Sequence, residues 1–259
     1  MNERKTVWQA DDCHEVVPLL EQVVARSRTQ NDPVGYFAML YRLTTLKIVG
    51  AVDQGRFADN ARMAEMDKNF ANRYLDAVSA HFDEWEATAV WQASFTGAAN
   101  PKLTVIQHLF LGMNAHINLD LAVAAAETCP GDAIHGFAGD FAKINAILDS
   151  LFDIVEHDEA KVWHPLRILL PMGEKIGNLL LAFAMKDERK SAWDRAVELA
   201  LLDPQARKTR IEELDRRYAT LAQDILTPDP LFRPILDEVR DQERGTVAQK
   251  IEDFDNRVG

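Results

Sequence analysis

One apolar stretch that carries many polar groups constrains the fold more than any other feature of this chain. Residues Val105–Thr128 read VIQHLFLGMNAHINLDLAVAAAET, the composition of a helix buried in a protein core. The same stretch carries six polar side chains, Gln107, His108, Asn114, His116, Asn118 and Asp120. Because a buried polar group without a partner costs about 1–3 kcal/mol, these side chains must either bond their neighbours or line a site.

The polar side chains of this stretch fall into two stripes on opposite faces of the predicted helix. At about 100° per residue, Gln107, Asn114 and Asn118 lie within about 40° of one another. His116 and Asp120 lie together, nearly opposite. Such a helix is typical of the centre of a domain, where it contacts different neighbours on each side. Polar groups in the middle of the run disfavour a membrane span.

Helical periodicity predicts an all-α fold. Apolar residues recur with helical spacing almost throughout the 259 residues, and strand patterns are nearly absent. We expect a single-domain, multi-helix bundle over residues 1–227, built around the central polar-bearing helix. Three prolines, Pro228, Pro230 and Pro234, mark the predicted start of a C-terminal helical appendage, a loosely packed tail at 228–259.

Capping residues and breakers predict the other helices. Asp11 and Asp12 cap the first helix, and Asp32 with Pro33 opens the second, which runs to Gly50. Further helices are predicted at about 59–82, 84–94, 133–155, 166–185, 191–202, 204–226 and 232–243.

Composition excludes several classes of function. The chain has 29 Lys and Arg against 41 Asp and Glu, a formal net charge of −12, which disfavours nucleic acid and anionic membrane surfaces as partners. Two cysteines, Cys13 and Cys129, form no CxxC pattern and predict neither a disulfide framework nor a thiolate metal site. The N-terminus lacks the apolar region of a secretory signal, so a cytoplasmic location is expected. Oligomeric state is not indicated.

Familiar catalytic and cofactor motifs are absent from the sequence. It contains no Gly-x-Ser-x-Gly, no Walker-type loop, no GxGxxG and no HExxH. These absences disfavour the usual nucleotide-binding and hydrolase scaffolds, and no cofactor is indicated.

The leading hypothesis is an enzyme with a core pocket beside the central helix, acting on a small and largely apolar metabolite. His116 and Asp120 are four residues apart, so Asp120 can orient His116 as a general acid or base. Asn114 and Asn118 are candidate substrate-positioning amides, or else they tie helices together by bonding exposed carbonyls. On the third helix, Arg73 and Tyr74 are substrate-binding candidates that would reach the central helix; alternatively, Arg73 pairs locally with Asp76.

Two other interpretations stay open. In the first, the protein is a non-catalytic binding or interaction protein, and its buried polar residues form a structural network. In the second, it is a metal-dependent hydrolase, because HxxxD can supply two metal ligands. A catalytic metal needs at least three protein ligands. The others would come from Asp67, Asp76, Asp140, Asp149, His157 and His164.

Two family resemblances follow from these residues. Leu111-Gly112-Met113-Asn114-Ala115-His116-Ile117-Asn118-Leu119-Asp120-Leu121 resembles the central helix of a bacterial family of unknown function with the pattern GMNAHIN-x-DL, and the segments Phe70–Ala77, Tyr36–Arg42 and around Trp91 are similar too. This resemblance implies a family-wide site without an assigned activity. The zinc phospholipase C and nuclease family shares HxxxD on a central helix. It has a further His six residues later, where this chain has Ala126, and a downstream HxxxE that is missing here.

Overall fold

A computed structural model describes residues 8–83, 85–144, 146–147, 185–230 and 233–258. Every regular element in these residues is helical, and none of them is a strand. The helices contact one another along the whole described chain. The predicted all-α, multi-helix fold is confirmed.

Within the described residues, ten α-helices have defined ends. They are α1 Cys13–Gln30, α2 Val34–Asp53, α3 Asn60–Asp83, α4 Ala89–Ala98, α5 Val105–Ala115, α6 Leu121–Thr128, α7 Met185–Leu201, α8 Pro204–Leu226, α9 Arg233–Gln242 and α10 Val247–Val258. One turn of π-helix, His116–Asp120, joins α5 to α6, so the central helix is continuous from Val105 to Thr128. A 3-10 helix, Gly131–Phe137, leads into an α-helical stretch at 138–144.

The central helix lies between two groups of neighbours. On one side α2 and α4 contact α5, and α3 contacts α6; on the other side α8 contacts α5 and α7 contacts α6. By length and composition the helix Val105–Thr128 is apolar enough to cross a membrane, yet 89% of its most apolar window is buried inside the protein. The core helix of a folded domain meets the same criterion, and this helix lies at the centre of the bundle.

Side-chain caps explain where several helices begin. Asp12 accepts a hydrogen bond from His14 N at the start of α1, and Asp32 accepts one from Val34 N at the start of α2. Asp203 accepts from Gln205 N and Ala206 N, and Pro204 occupies the first turn of α8. Each of these caps is adjacent in sequence to the helix that it starts. For α8, the predicted range 204–226 is confirmed.

Helix α4 begins later than the sequence pattern predicts. The predicted range was 84–94, whereas the helix spans Ala89–Ala98. Its first N–H groups are satisfied by a residue distant in sequence, because the Asp215 carboxylate on α8 accepts hydrogen bonds from Ala89 N at 2.8 Å and Val90 N at 2.9 Å. A cap supplied from another helix leaves no local signal, which is why the predicted start was wrong.

Removing this distant cap should destabilise the bundle. We expect Asp215→Ala to lower the free energy of unfolding by about 1–2 kcal/mol, because two backbone donors lose a charged acceptor. Chemical denaturation measures the change. Asp224→Ala, at an exposed position of the same helix, is the control and should change stability by less than about 0.5 kcal/mol. Equal effects of the two substitutions would contradict the capping role.

The C-terminal helices pack against the body of the protein. Ile251 on α10 is fully buried, and α10 contacts α1 and α2. The buried Glu243 side chain accepts a hydrogen bond from Val105 N, the first residue of α5, and pairs with Lys250 at 2.9 Å. The expectation of loose packing after residue 228 is therefore wrong for these residues, and α10 was not predicted at all.

The remaining helix predictions meet the structure in part. The predicted helix at 133–155 starts as the 3-10 turn Gly131–Phe137, and its part beyond 147 lies outside the described residues. The predicted helix at 166–185 also lies outside them, except for Met185 at its end. The helix predicted at 191–202 begins earlier and spans Met185–Leu201.

Candidate functional site

The π turn of the central helix holds the His116–Asp120 pair. Leu121 N donates to His116 O, five residues back, which defines the wider turn. His116 Nδ1 lies 3.1 Å from Asp120 Oδ2, and their side chains are only 3% and 1% exposed. The predicted pairing across one helical turn is thus present and lies in the protein interior.

Asp120 collects hydrogen bonds from three elements. Arg73 on α3 donates from Nε to Oδ1 at 2.9 Å, and Trp91 on α4 donates from Nε1 to Oδ2 at 2.9 Å. His116 supplies the third hydrogen bond from the π turn itself. One buried carboxylate therefore joins α3 and α4 to the central helix.

The environment of Asp120 keeps it ionised. Burial opposes ionisation, but the positive charge of Arg73 and the hydrogen bonds from His116 and Trp91 outweigh it and lower the pKa of Asp120 below its usual value. Arg73 carries the compensating charge, and its side chain is 21% exposed. The pair thus places its anion in the core and its cation at the edge of the core.

The imidazole of His116 is neutral and has a defined tautomer. Burial lowers its pKa more than the hydrogen bond and negative charge of Asp120 raise it. An ionised carboxylate can only accept a hydrogen bond, so Nδ1 carries the proton and Nε2 carries a lone pair. Nε2 is buried and has no hydrogen-bond partner. His116 therefore presents an oriented, unused basic nitrogen in the interior.

Five aromatic side chains, here called the aromatic box, surround this imidazole: Phe37, Tyr41, Phe70, Tyr74 and Trp91. The ring of Phe70 stacks on His116 at a centroid distance of 3.7 Å and an interplanar angle of 10°. The ring of Tyr41 meets it edge to face at 4.4 Å. The environment of Nε2 is therefore apolar and aromatic.

Arg73 and Tyr74 both reach the central helix. Arg73 bonds Asp120 and has a 4.0 Å contact with Glu127 at the surface, and in the described part of the chain it forms no ion pair with Asp76, so the alternative of a local pair with Asp76 is wrong. Tyr74 is fully buried in the aromatic box, and its hydroxyl has no hydrogen-bond partner. These two residues stand beside His116 and Asp120, as the leading hypothesis expected.

Asn114 and Asn118 lie on the opposite face of the central helix. Asn114 Nδ2 donates to Tyr218 O on α8 at 3.0 Å, and Asn118 Nδ2 donates to Asn114 Oδ1 at 2.9 Å. Gln107 Nε2 donates to Ile225 O, also on α8. This stripe ties the central helix to α8 through the backbone carbonyls of Tyr218 and Ile225. The structure does not bring the two amides to His116, so a role in positioning a substrate at His116 does not fit their placement.

Comparison with known proteins places the chain in a family. A family model described as "Family of unknown function (DUF5995)" matches residues 13–228, which is most of the chain and contains the whole aromatic box. The chain belongs to the DUF5995 family. Searches of curated proteins and of solved structures found no match for this DUF5995 chain.

The proposed metal ligands do not assemble in the described part of this DUF5995 chain. Among those residues, no group of three or more His, Cys, Asp or Glu side chains could hold a metal ion. Asp140 is occupied elsewhere, because its two oxygens accept from Ala58 N and Asp59 N. Asp149, His157 and His164 lie outside the described residues. The described residues thus supply no set of metal ligands that would support the metal-dependent hydrolase interpretation.

A second buried carboxyl group, that of Asp67, lies next to the aromatic box, and the sequence did not lead us to predict an acid–base role for it. Asp67 on α3 is 3% exposed, and its Oδ2 has no hydrogen-bond partner. Burial raises its pKa to about 7. A sequence signal exists: Asp67 lies three and seven residues before Phe70 and Tyr74, hence on the same face of α3. The sequence thus groups Asp67 with Phe70 and Tyr74 and offers it as a metal ligand, but it does not show that this carboxyl group lacks a hydrogen-bond partner.

Proposed function

We propose that this protein is an enzyme that acts on a small, largely apolar metabolite, with His116 as general base and Asp120 as its orienting partner. The observation that carries the proposal is the buried Nε2 lone pair of His116, which has no hydrogen-bond partner although Nδ1 is held by Asp120. A buried polar atom without a partner lowers the free energy of unfolding by about 1–3 kcal/mol, and proteins retain such destabilising groups mainly at functional sites.

The pair divides the chemistry between its members. His116 Nε2 would take a proton from the substrate or from a water molecule, and Asp120 would stabilise the imidazolium that forms. Arg73 keeps Asp120 ionised so that it can do this. The face of Phe70, 3.7 Å from the imidazole, would add a cation–π attraction to the protonated ring. The lining of the aromatic box favours an apolar substrate, and we place this activity in the cytoplasm.

The tautomer of His116 tests the basis of this proposal without any substrate. Long-range nitrogen–proton NMR spectra of the ¹⁵N-labelled protein should show a proton on Nδ1 and none on Nε2 throughout the neutral pH range, because the pKa of His116 is lowered. A proton on Nε2 would make this nitrogen a donor and would overturn the general-base role.

Turnover of a defined panel tests the activity itself. Small esters, ketones and alcohols with apolar bodies are incubated with the protein in D₂O and followed by proton NMR. We expect at least one member to be hydrolysed or to exchange a carbon-bound proton, and His116→Gln to slow that reaction at least about 100-fold. His135→Gln, at an exposed histidine outside the site, should leave it unchanged. A panel without a transformed member, or equal effects of both substitutions, would count against the enzyme.

A structural network is the second candidate, because Asp120 accepts hydrogen bonds from three donors on three elements. Stability separates the two candidates. His116→Phe keeps an aromatic ring stacked on Phe70 and removes the unpartnered Nε2. If His116 serves chemistry, the free energy of unfolding should change by less than about 1 kcal/mol or rise. If the network alone explains the residue, the loss of its bond to Asp120 should lower it by about 2 kcal/mol or more.

A further inference from the structure

A small crevice opens between the start of α2, the helix α4 and the central helix. Its interior volume is about 20 Å³, room for about one water-sized group, and it is half open to solvent. The residues that line it are Pro33, Val34, Phe37, Tyr74, Trp91, Ser94, Phe95, Ala98, His108 and Gly112. Its walls are thus mostly apolar and aromatic, with three polar side chains.

Two of the three polar side chains of the crevice have hydrogen-bonding capacity to offer. The Tyr74 hydroxyl is fully buried and has no partner. No hydrogen bond joins either ring nitrogen of His108 to another described residue, and the side chain is largely buried. The Ser94 hydroxyl is already used, because it donates towards Leu111 O and Val90 O. The crevice is therefore lined by a tyrosine and a histidine whose polar groups form no hydrogen bond with the described residues.

Both unpaired groups are electrically neutral. Burial, with the nearby charge of Lys250, lowers the pKa of His108 to about 4. Burial and the negative charge of Asp32 raise the pKa of the Tyr74 hydroxyl above its usual value. Asp32 itself stays ionised, since His81 and the Val34 amide hold its pKa low despite burial. A neutral ligand group suits this neutral lining, whereas an anion beside Tyr74 would be repelled by the nearby charge of Asp32.

The crevice and the aromatic box share a wall. Phe37, Tyr74 and Trp91 line the crevice and also surround His116. Trp91 is anchored by its hydrogen bond to Asp120. Tyr74 has no such anchor at its hydroxyl, so a ligand bonded to Tyr74 stands one side chain away from the imidazole of His116.

We propose that this crevice is the outer subsite of the enzyme and binds small neutral molecules with one hydroxyl or carbonyl group on an apolar, preferably aromatic, body. The polar group fills the narrow interior beside Tyr74 and His108, and the apolar body lies in the open mouth against Phe95. This inference rests on the proposed function for its link to His116, but the binding itself does not require catalysis.

Phenol, toluene and benzoate form the test set, since they share a ring and differ in the polar group. Binding is followed by NMR through the indole N–H signal of Trp91. We expect phenol to bind the wild-type protein, toluene to bind at least about tenfold more weakly because Tyr74 stays unpaired, and benzoate not to bind. In Tyr74→Phe the preference for phenol over toluene should disappear. Tyr218→Phe, on the opposite side of the central helix, should keep it.

The outcomes separate the subsite from the proposed function. Equal binding of phenol and toluene by the wild-type protein, or an unchanged phenol preference in both Tyr74→Phe and His108→Phe, overturns the subsite and leaves the role of His116 standing. Phenol binding that His116→Gln retains, together with a panel that is not transformed, supports the subsite and overturns the enzyme. Tyr74→Phe removes only a hydroxyl without a partner, so this variant should fold.

Discussion

Replacing Asp120 by alanine should lower the free energy of unfolding by about 3–5 kcal/mol, the loss typical of a broken buried ion pair. The substitution leaves Arg73 without its anion and leaves Trp91 Nε1 and His116 Nδ1 without an acceptor. It also removes a side chain that bonds α3, α4 and the central helix at one point. Asp120→Asn keeps the size and one acceptor oxygen, so its cost should be smaller.

Urea denaturation of the variants measures these losses. Glu127→Ala is the matched control, because it removes the exposed 4.0 Å contact of the same Arg73 and should change stability by less than about 0.5 kcal/mol. If Asp120→Ala were as mild as Glu127→Ala, the buried cluster around Asp120 would not contribute to the folded core.

Replacing Asp67 by asparagine should change how stability depends on pH. The pKa of Asp67 is raised from 3.8 to about 7 in the folded protein, so between these values the folded state holds a proton that the unfolded state has lost. For this group, stability is therefore highest below pH 3.8 and falls by up to about 1.4 kcal/mol per pH unit as the pH rises towards 7. Asp67→Asn cannot ionise and should lack this loss.

The measured quantity is the stability of Asp67→Asn minus that of the wild-type protein, because other carboxyl groups contribute slopes that cancel in the difference. We expect this difference to grow by several kcal/mol between pH 4 and pH 8. Asp11→Asn, at an exposed position, provides the control and should give a flat difference. A flat difference for Asp67→Asn as well would show that Asp67 ionises normally and has water or another partner beside it.

The features of the site that lie on a single helix are the ones that the sequence predicts best. Opposite stripes on the central helix follow from spacing alone, and the structure directs Asn114 towards α8 and His116 towards α2, α3 and α4. Contacts between helices were harder to predict. That Trp91 donates to Asp120 is a contact between distant segments, although a buried indole N–H requires some acceptor.

Errors in the predicted fold have the same origin. The range of α8 was correct because Asp203 and Pro204 act locally, whereas the start of α4 depends on Asp215, 126 residues away from Ala89. The burial of Ile251 on α10 depends on α1 and α2, at the other end of the chain. Local periodicity contains no information about such partners, so the helices are predictable and their assembly is not.

The π turn makes the number of residues in the central helix part of the site. Because Leu121 N bonds a carbonyl five residues back, His116–Asp120 contains one residue more than an α-helical turn needs. Deleting Ile117 would return this turn to regular α-helical geometry, because the turn holds that one additional residue. The faces that α5 and α6 present to their neighbours would stay in place, whereas the spacing between His116 and Asp120 would shorten by one residue. A single substitution cannot make this change, because it leaves the number of residues in the turn the same. In the evolution of such a chain, the extra residue and the spacing of the His116–Asp120 pair would be gained or lost together, while the packing of α6 is kept.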